Sequence, residues 1–165
     1  MIKSQDFRSA MARLATAVNI VTTRGQAGTH GMTVSAVCSV TDTPPTLLVC
    51  INRNATANAL FKANGVLCVN VLSASQQEIS DCFAHAARSA ERFATGTWTR
   101  LSTGSPVLEG ALVSLDCRIA EVSEVGTHSV FYCHVLALCD PVSGPGLVYF
   151  NRDYHAVCSH PENAI

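Results

Sequence analysis

Charge is scarce in this chain. Asp, Glu, Lys and Arg together make up 14% of its 165 residues, and the net charge is −1. There is no basic run, which argues against a nucleic-acid partner. No stretch approaches the roughly 18 unbroken apolar residues that a membrane helix needs. The first residues, MIKSQDFRSAMARL, carry charges where a signal peptide would have an apolar centre. These features predict a cytoplasmic protein that does not enter a membrane. The signature motifs of several enzyme classes are also missing. There is no G-x-G-x-x-G, no G-x-x-x-x-G-K-[ST], no G-x-S-x-G and no H-E-x-x-H, which removes the ordinary Rossmann, P-loop, α/β-hydrolase and zinc-protease readings.

Cysteine is abundant but unpaired in sequence. The eight cysteines, at 38, 50, 68, 82, 117, 133, 139 and 158, include no C-x-x-C. Most sit in apolar runs such as LLVCI and VFYCHV. They read as free thiols acting as small hydrophobes, and neither a disulfide frame nor a metal site is expected. The histidines His30, His85, His128, His134, His155 and His160 show no ligand spacing either.

What is present is apolar sequence, 48% of the chain. That is more than a chain of this size hides by itself, so a homodimer with an apolar interface is expected. One domain over 1–165 is expected from the length. Phe7, Ala10, Met11 and Leu14 recur at helical spacing and predict a helix from Ser4 to about Ala15. Strands are predicted at Val18–Thr23, Met32–Val40, Thr46–Ile51 (apolar enough to be buried on both faces) and Val66–Val71. A turn is predicted over Gly25–Gly31, and a helix over Ala55–Ala63, closed by Asn64-Gly65. Ser75-Gln-Gln-Glu78 reads as a capping box before Ile79, Cys82, Phe83 and Ala86. Residues 87–106 read as irregular. A long strand follows in which Ala111, Val113, Leu115, Cys117 and Ile119 face the core, while Ser114, Asp116 and Arg118 face away. After a turn at Gly126-Thr127-His128 come Ser129–Cys139 and Leu147–Phe150. About seven strands joined by tight turns, with three short helices, predict a mainly β fold and an antiparallel barrel.

Three polar clusters stand out on this scaffold. Thr33, Ser35, Ser39 and Thr41 fall at alternating positions and form either a hydroxyl row for a polar ligand or an exposed edge. Asn52 to Asn58 opens a helix and either cradles an anion or simply caps the helix. Gly126-Thr127-His128 places a lone histidine at a hairpin, either solvated or catalytic.

The segments AVNIVTT (17–23), GMTVSAVCSVTDTPPTLLVCIN (31–52), LCVNVLS (67–73), ERF (91–93), ALVSLDCRI (111–119), VGTH (125–128) and GLVYFNRDYH (146–155) resemble the short-chain flavin reductases. These are the reductase components of two-component flavin monooxygenases. The likeness is strongest to those serving 4-hydroxyphenylacetate and pyrimidine-degrading oxygenases. The resemblance implies an FMN-binding split β-barrel, a homodimer, and NADH or NADPH reducing diffusible FMN or FAD for a partner monooxygenase. It implies that Thr33, Val34, Ser35, Ala36 and Ser39 lie along the flavin, with Cys50, Ile51 and Asn52 continuing that wall. It further implies Asn52, Thr56 and Asn58 at the phosphate, and Phe83, Ala84, Arg92 and Phe93 at the border of the ring. His128 is implied at the nicotinamide, with Tyr154 near it. Many relatives carry aspartate where this chain has Thr127. A flavin store or sensor without turnover, or an oxidase that keeps its flavin, are the alternatives.

Overall fold

The computed structural model describes residues 2–89 and 91–158. In chain order the elements are α1 (Ser4–Met11), β1 (Thr16–Ala17), β2 (Asn19–Gly25), β3 (Gly28–Val34), β4 (Val37–Asp42) and β5 (Pro45–Asn52). Next come α2 (Thr56–Asn64), β6 (Val66–Val71), α3 (Gln77–Ala84), β7 (Trp98–Arg100) and β8 (Pro106–Leu108). The chain continues with β9 (Val113–Val125), β10 (His128–Leu138), β11 (Gly146–Phe150) and β12 (Asp153–Val157). Seven strands form one sheet in the order β3-β2-β6-β9-β10-β5-β4, and every pair in it is antiparallel. Its two edge strands, β3 and β4, are consecutive in sequence and joined only by Ser35-Ala36. The sheet must therefore curl until its edges adjoin at that link, which makes a barrel with a split seam.

The core fills the barrel in the expected way. Val21, Val49, Leu67, Val69 and Phe131 are fully buried there, and Phe61 of α2 meets Phe131 edge to face, with centroids 6.3 Å apart. A second cluster packs α3 on the outside of the sheet through Cys82 and Phe83, against Ile20, Leu72 and Leu108. Each such side chain contributes about 1.5–3 kcal/mol on burial.

Several expectations need correction. The predicted strand 32–40 is broken at Ser35-Ala36, where Val37 N donates to Ser35 O at 2.9 Å in a tight turn. The turn at 25–31 shrinks to the Gly25–Gly28 hairpin, because Asn64 clasps it. The Asn64 side chain donates to Gly28 O and accepts from Ala27 N, both at 3.0 Å. α1 stops at Met11. The capping box is Ser73–Gln76, two residues earlier than predicted, and Gln76 Oε1 accepts from Ser73 N at 3.1 Å. β5 is not buried on both faces: Leu47, Val49 and Ile51 are in the core, while Leu48 and Cys50 are only half-buried.

On β9, Cys117, Leu115 and Ile119 pack on the core and Arg118 is exposed, as predicted, but Ser114 and Asp116 are not solvent-facing. Ser114 and Asp116 are buried beneath the 97–108 excursion, because Asp116 accepts from Thr103 N at 2.8 Å and from Thr103 Oγ1 at 2.5 Å. Strands β1, β7, β8 and β12 were not expected, and His128 begins β10 instead of lying in the turn. Gly65 closes α2 as predicted. At φ 68° it takes the left-handed conformation that a β-carbon would penalise. His160 lies outside the described residues.

All eight cysteines are free thiols, as expected. Burial pushes the Cys133 thiol up to about 12 and moves Cys68 and Cys117 up as well, so these three are inert packing groups.

Candidate functional site

Two clefts of about 470 Å³ each meet along β3. The first is bounded by His30 and Met32 of β3, by Asn54 to Ala57 at the start of α2, and by Phe83, Ala84, Ala86, Ser89 and Arg92. The second is bounded by Ser35, Asp81, Ala84, His85, Tyr149 and Arg152 to Tyr154. Thr33 and Ala84 line both, so the clefts are the two ends of one trough.

The first end gathers a helix start and a buried cation. No side chain caps α2; Asn58 N donates to Ala55 O at 2.9 Å, which leaves the Thr56 and Ala57 N–H groups of its first turn for a ligand. Arg92, 7% exposed, lines the same cleft. Its Nη1 donates to Gly31 O at 2.9 Å and its Nη2 to His85 O at 3.3 Å. Its Nε is buried with no hydrogen-bond partner among the described residues, and no carboxylate neutralises it there. A buried cation with an unspent donor costs stability unless an anion completes it. A terminal phosphate fits that requirement.

The position of Arg92 follows from glycine. A β-carbon at Gly31 would come within 2.7 Å of Phe83 Cε1, so glycine lets β3 close onto α3 and brings Gly31 O to the guanidinium. The Phe83 ring is held by Phe93 and Trp98, both with centroids 5.4 Å away.

At the other end Tyr154 Oη and Ser80 Oγ are 2.8 Å apart, and Tyr149 meets Tyr154 edge to face with centroids 5.3 Å apart. Burial raises the Tyr154 pKa, so it is a neutral hydrogen-bonding phenol. Asn151 and Arg152 both take left-handed backbone conformations, φ 51° and 68°, in the β11–β12 turn. Asn151 N donates to Ala12 O and Arg152 Nη2 donates to Ser9 Oγ, which ties this turn to α1.

The structure brings Thr33, Ser35, Thr56, Phe83, Ala84, Arg92 and Tyr154 onto the trough. Ala36 lines an adjoining cleft beside α1. It does not bring the others there as side chains. Val34 and Ile51 point into the core, so only their backbone is available to a ligand. Asn58 is buried and donates to Ile51 O at 3.2 Å and Ser129 Oγ at 3.0 Å, so its amide braces the corner. Phe93 packs behind Phe83. Ser39 and Thr41 lie on β4 in a separate cleft with Val37 and Leu47, so the four hydroxyls do not share one face. The Thr33 hydroxyl is already committed to Ser80 O at 2.7 Å. Cys50 is half-buried, and its N–H donates to Ala36 O at 3.0 Å.

His128 is exposed and is not among the residues lining these clefts. It pairs with Asn52 on the β10–β5 ladder, and its Nδ1 lies 2.9 Å from Thr127 Oγ1. The second and third polar clusters of the sequence are therefore neighbours on one corner, where Arg53 N donates to Thr127 O at 2.9 Å.

Glu124 locks that corner. It contacts Lys62 Nζ at 2.6 Å, Arg53 Nε at 3.1 Å and Ser129 Oγ at 2.9 Å. The Lys62 and Ser129 hydrogen bonds hold its carboxyl below the usual glutamate range. A carboxylate depressed in the folded state contributes stability above its unfolded pKa and loses it as pH falls through the folded one. Glu124→Gln is therefore expected to melt below the parent at about pH 7, and the gap should close on titration below about pH 4. Paired thermal melts at the two pH values check this. A gap independent of pH would show that the carboxylate charge plays no part.

His30, Asp81, Ser89 and Tyr149 line the trough and are not among the residues that the sequence singles out. For His30 the available signal was its i, i+2 relation to Met32, which puts both on one face of β3. For Arg152 the signal is its place in Asn151-Arg152-Asp153-Tyr154-His155, an aromatic-cation group that either lines a pocket or closes the barrel, and the structure puts Arg152 to Tyr154 on the cleft.

A split antiparallel barrel with an anion-receptive cleft at one end of an aromatic-edged trough is the architecture of the flavin-binding split barrels. Residues 11–157 match the flavin reductase like domain, and the chain belongs to that family. It is 53% identical to the FMN reductase (NADH) RutF of Serratia proteamaculans over 156 residues, 94% of this chain and 89% of that one. Among solved structures it is similar to BorF, the flavin reductase component of a bacterial two-component tryptophan halogenase. That match has TM-score 0.88 and 28% identity, over 96% of this chain and 100% of that one. It is also similar to the styrene monooxygenase flavin reductase of Pseudomonas putida S12, with TM-score 0.83 and 28% identity, over 94% and 99% of the two chains.

Proposed function

We propose that this chain is an NADH-dependent FMN reductase whose reduced flavin leaves to serve a separate monooxygenase. The observation that carries the reading is Arg92, a buried cation whose Nε has no partner among the described residues and which lines the same cleft as the start of α2. FMN stands before FAD, and NADH before NADPH, because relatives at 51–54% identity are FMN reductases (NADH).

When both are bound, the nicotinamide supplies a hydride and the flavin accepts it, so no protein nucleophile is required. Arg92 and the first-turn N–H groups of α2 hold the phosphate. Thr33, Ser35 and Ala84 floor the trough, and the Tyr154 hydroxyl borders its far end. His128, on the rung beside Asn52, is assigned to orient the nicotinamide as a hydrogen-bond donor and not as an acid. The trough opens to solvent, which suits a flavin that must depart.

The working unit is read as a homodimer. Phe7, Met11 and Leu14 on and just after α1 are about half exposed, as are Leu136 and Leu138, and a second copy would cover such a surface. No helix among the described residues is long and apolar enough to cross a membrane. The eight free thiols suit a reducing compartment, so we place the protein in the cytoplasm.

The test is NADH oxidation followed at about 340 nm with and without FMN, FAD or riboflavin. Turnover that requires added flavin, with FMN preferred, is expected. A flavin that stays bound and is not reduced by NADH would leave a storage or sensing protein instead.

A further inference from the structure

The cleft that holds Arg92 also contains a group able to change its charge. His30 lies on β3, half-buried, with Arg92 Nη1 3.2 Å from its Nε2. A guanidinium can only donate, so Nε2 accepts at this contact and the imidazole is neutral, with its proton on Nδ1. Burial first, and the Arg92 charge second, hold the His30 pKa below the ordinary histidine range.

Of the other charged groups on the surrounding elements, Lys62 of α2 pairs with Glu124, while Glu78 and Asp81 of α3 form no salt bridge among the described residues, and Arg92 is the charge that acts on His30. Arg88 pairs with Glu91 at 3.2 Å, and Arg53 at the α2 start pairs with Glu124. Arg24 lies on the paired strand β2. His85 Nδ1 is engaged with Asp81 O at 2.9 Å. The balance at His30 is therefore set by Arg92 and by whatever anion Arg92 meets.

A phosphate dianion bound in this cleft beside Arg92 and His30 reverses that balance. It takes up the guanidinium charge and places acceptor oxygens beside the imidazole. A proton from solvent can then settle on Nε2, which turns from acceptor to donor.

We infer that His30 is a proton-linked member of the phosphate subsite: a flavin with a terminal phosphate draws one proton onto its imidazole, and riboflavin does not. This rests on reading the cleft as a flavin-phosphate subsite. The balance is neutral His30 plus a proton plus the FMN dianion giving a complex that holds the imidazolium. The His30 pKa is higher in the complex than in the free protein. The added affinity is thus present at lower pH and is lost as pH rises through the value in the complex.

The experiment is calorimetric titration of the full chain with FMN and with riboflavin, in two buffers of different ionisation enthalpy. At about pH 7.5 the FMN phosphate is almost wholly dianionic, because its second pKa is near 6. Any proton taken up then comes onto the protein. FMN binding is expected to take up a substantial fraction of a proton, and riboflavin binding none. The Kd for FMN should rise with pH, by up to about tenfold per unit for one linked proton. His30→Gln can still accept from Arg92 through its amide oxygen but cannot titrate, so its FMN affinity should be flat with pH. The comparison of FMN with riboflavin on the unmodified chain decides the matter even if that variant does not fold. Equal proton uptake for the two flavins, with FMN still the tighter ligand, overturns the role of His30 and leaves the phosphate subsite standing. Equal affinity for both flavins overturns the subsite and the inference together.

Discussion

Replacing Asn70 by leucine is expected to lower the melting temperature by about 10–15 °C. Asn70 lies on β6 and is fully buried. Its Nδ2 donates to Ile20 O at 3.0 Å, and its Oδ1 accepts from Leu108 N at 2.8 Å and from Ser114 Oγ at 2.9 Å. One amide therefore satisfies groups on β2, β8 and β9 at once. Leucine keeps the branched shape with bulkier methyl ends, and three buried polar groups lose their partner. Each unpaired group costs about 1–3 kcal/mol, and the shared loss is about 3–5 kcal/mol. Circular dichroism melts check the figure. A drop of less than about 3 °C would mean that water or a rearranged Ser114 replaces the amide.

Arg92→Met is expected to weaken FMN binding by about 10–100-fold while changing riboflavin binding by less than about twofold. A charge-assisted hydrogen bond to phosphate is worth about 1.5–3 kcal/mol, which corresponds to that range. The substitution also removes the donors to Gly31 O and His85 O, so the variant is expected to be less stable. The ratio of FMN to riboflavin affinity is the readout that separates the two effects, because loosening of the 85–94 segment would weaken both flavins alike. Fluorescence titration of each flavin measures it. A uniform loss would assign Arg92 to packing only.

Taken together, these substitutions divide the polar interior by purpose. The Asn70 and Asp116 networks are complete. Asp116 is fully buried, yet Thr103 serves it through both its backbone N–H and its hydroxyl. The Arg92 group is incomplete: among the described residues its Nε has no partner and no acid balances its charge. A closed polar network fixes a fold, whereas an open one beside a cleft invites a ligand.

The sequence by itself determined the strands that alternate or run apolar, the α2 helix with its Gly65 stop, and the free thiols. Each of these depends on side chains within a few residues of one another. It also carried the family, through motifs spread from 17 to 155. It did not determine which polar residues face inward. Ser114 and Asp116 alternate with apolar neighbours just as solvent-facing residues do, and only the 97–108 excursion folding across β9 buries them. Likewise Asn58 looked like part of a phosphate corner, but the pairing of β5 with β10 supplies Ser129 and turns its amide to bracing.

The trough itself is a tertiary product. His30 and Arg92 are 62 positions apart and meet because Gly31 admits Phe83, which lets α3 and the segment after it close over β3. Such contacts depend on close approach between distant segments. Local spacing records periodicity and turns, but not what arrives from across the fold.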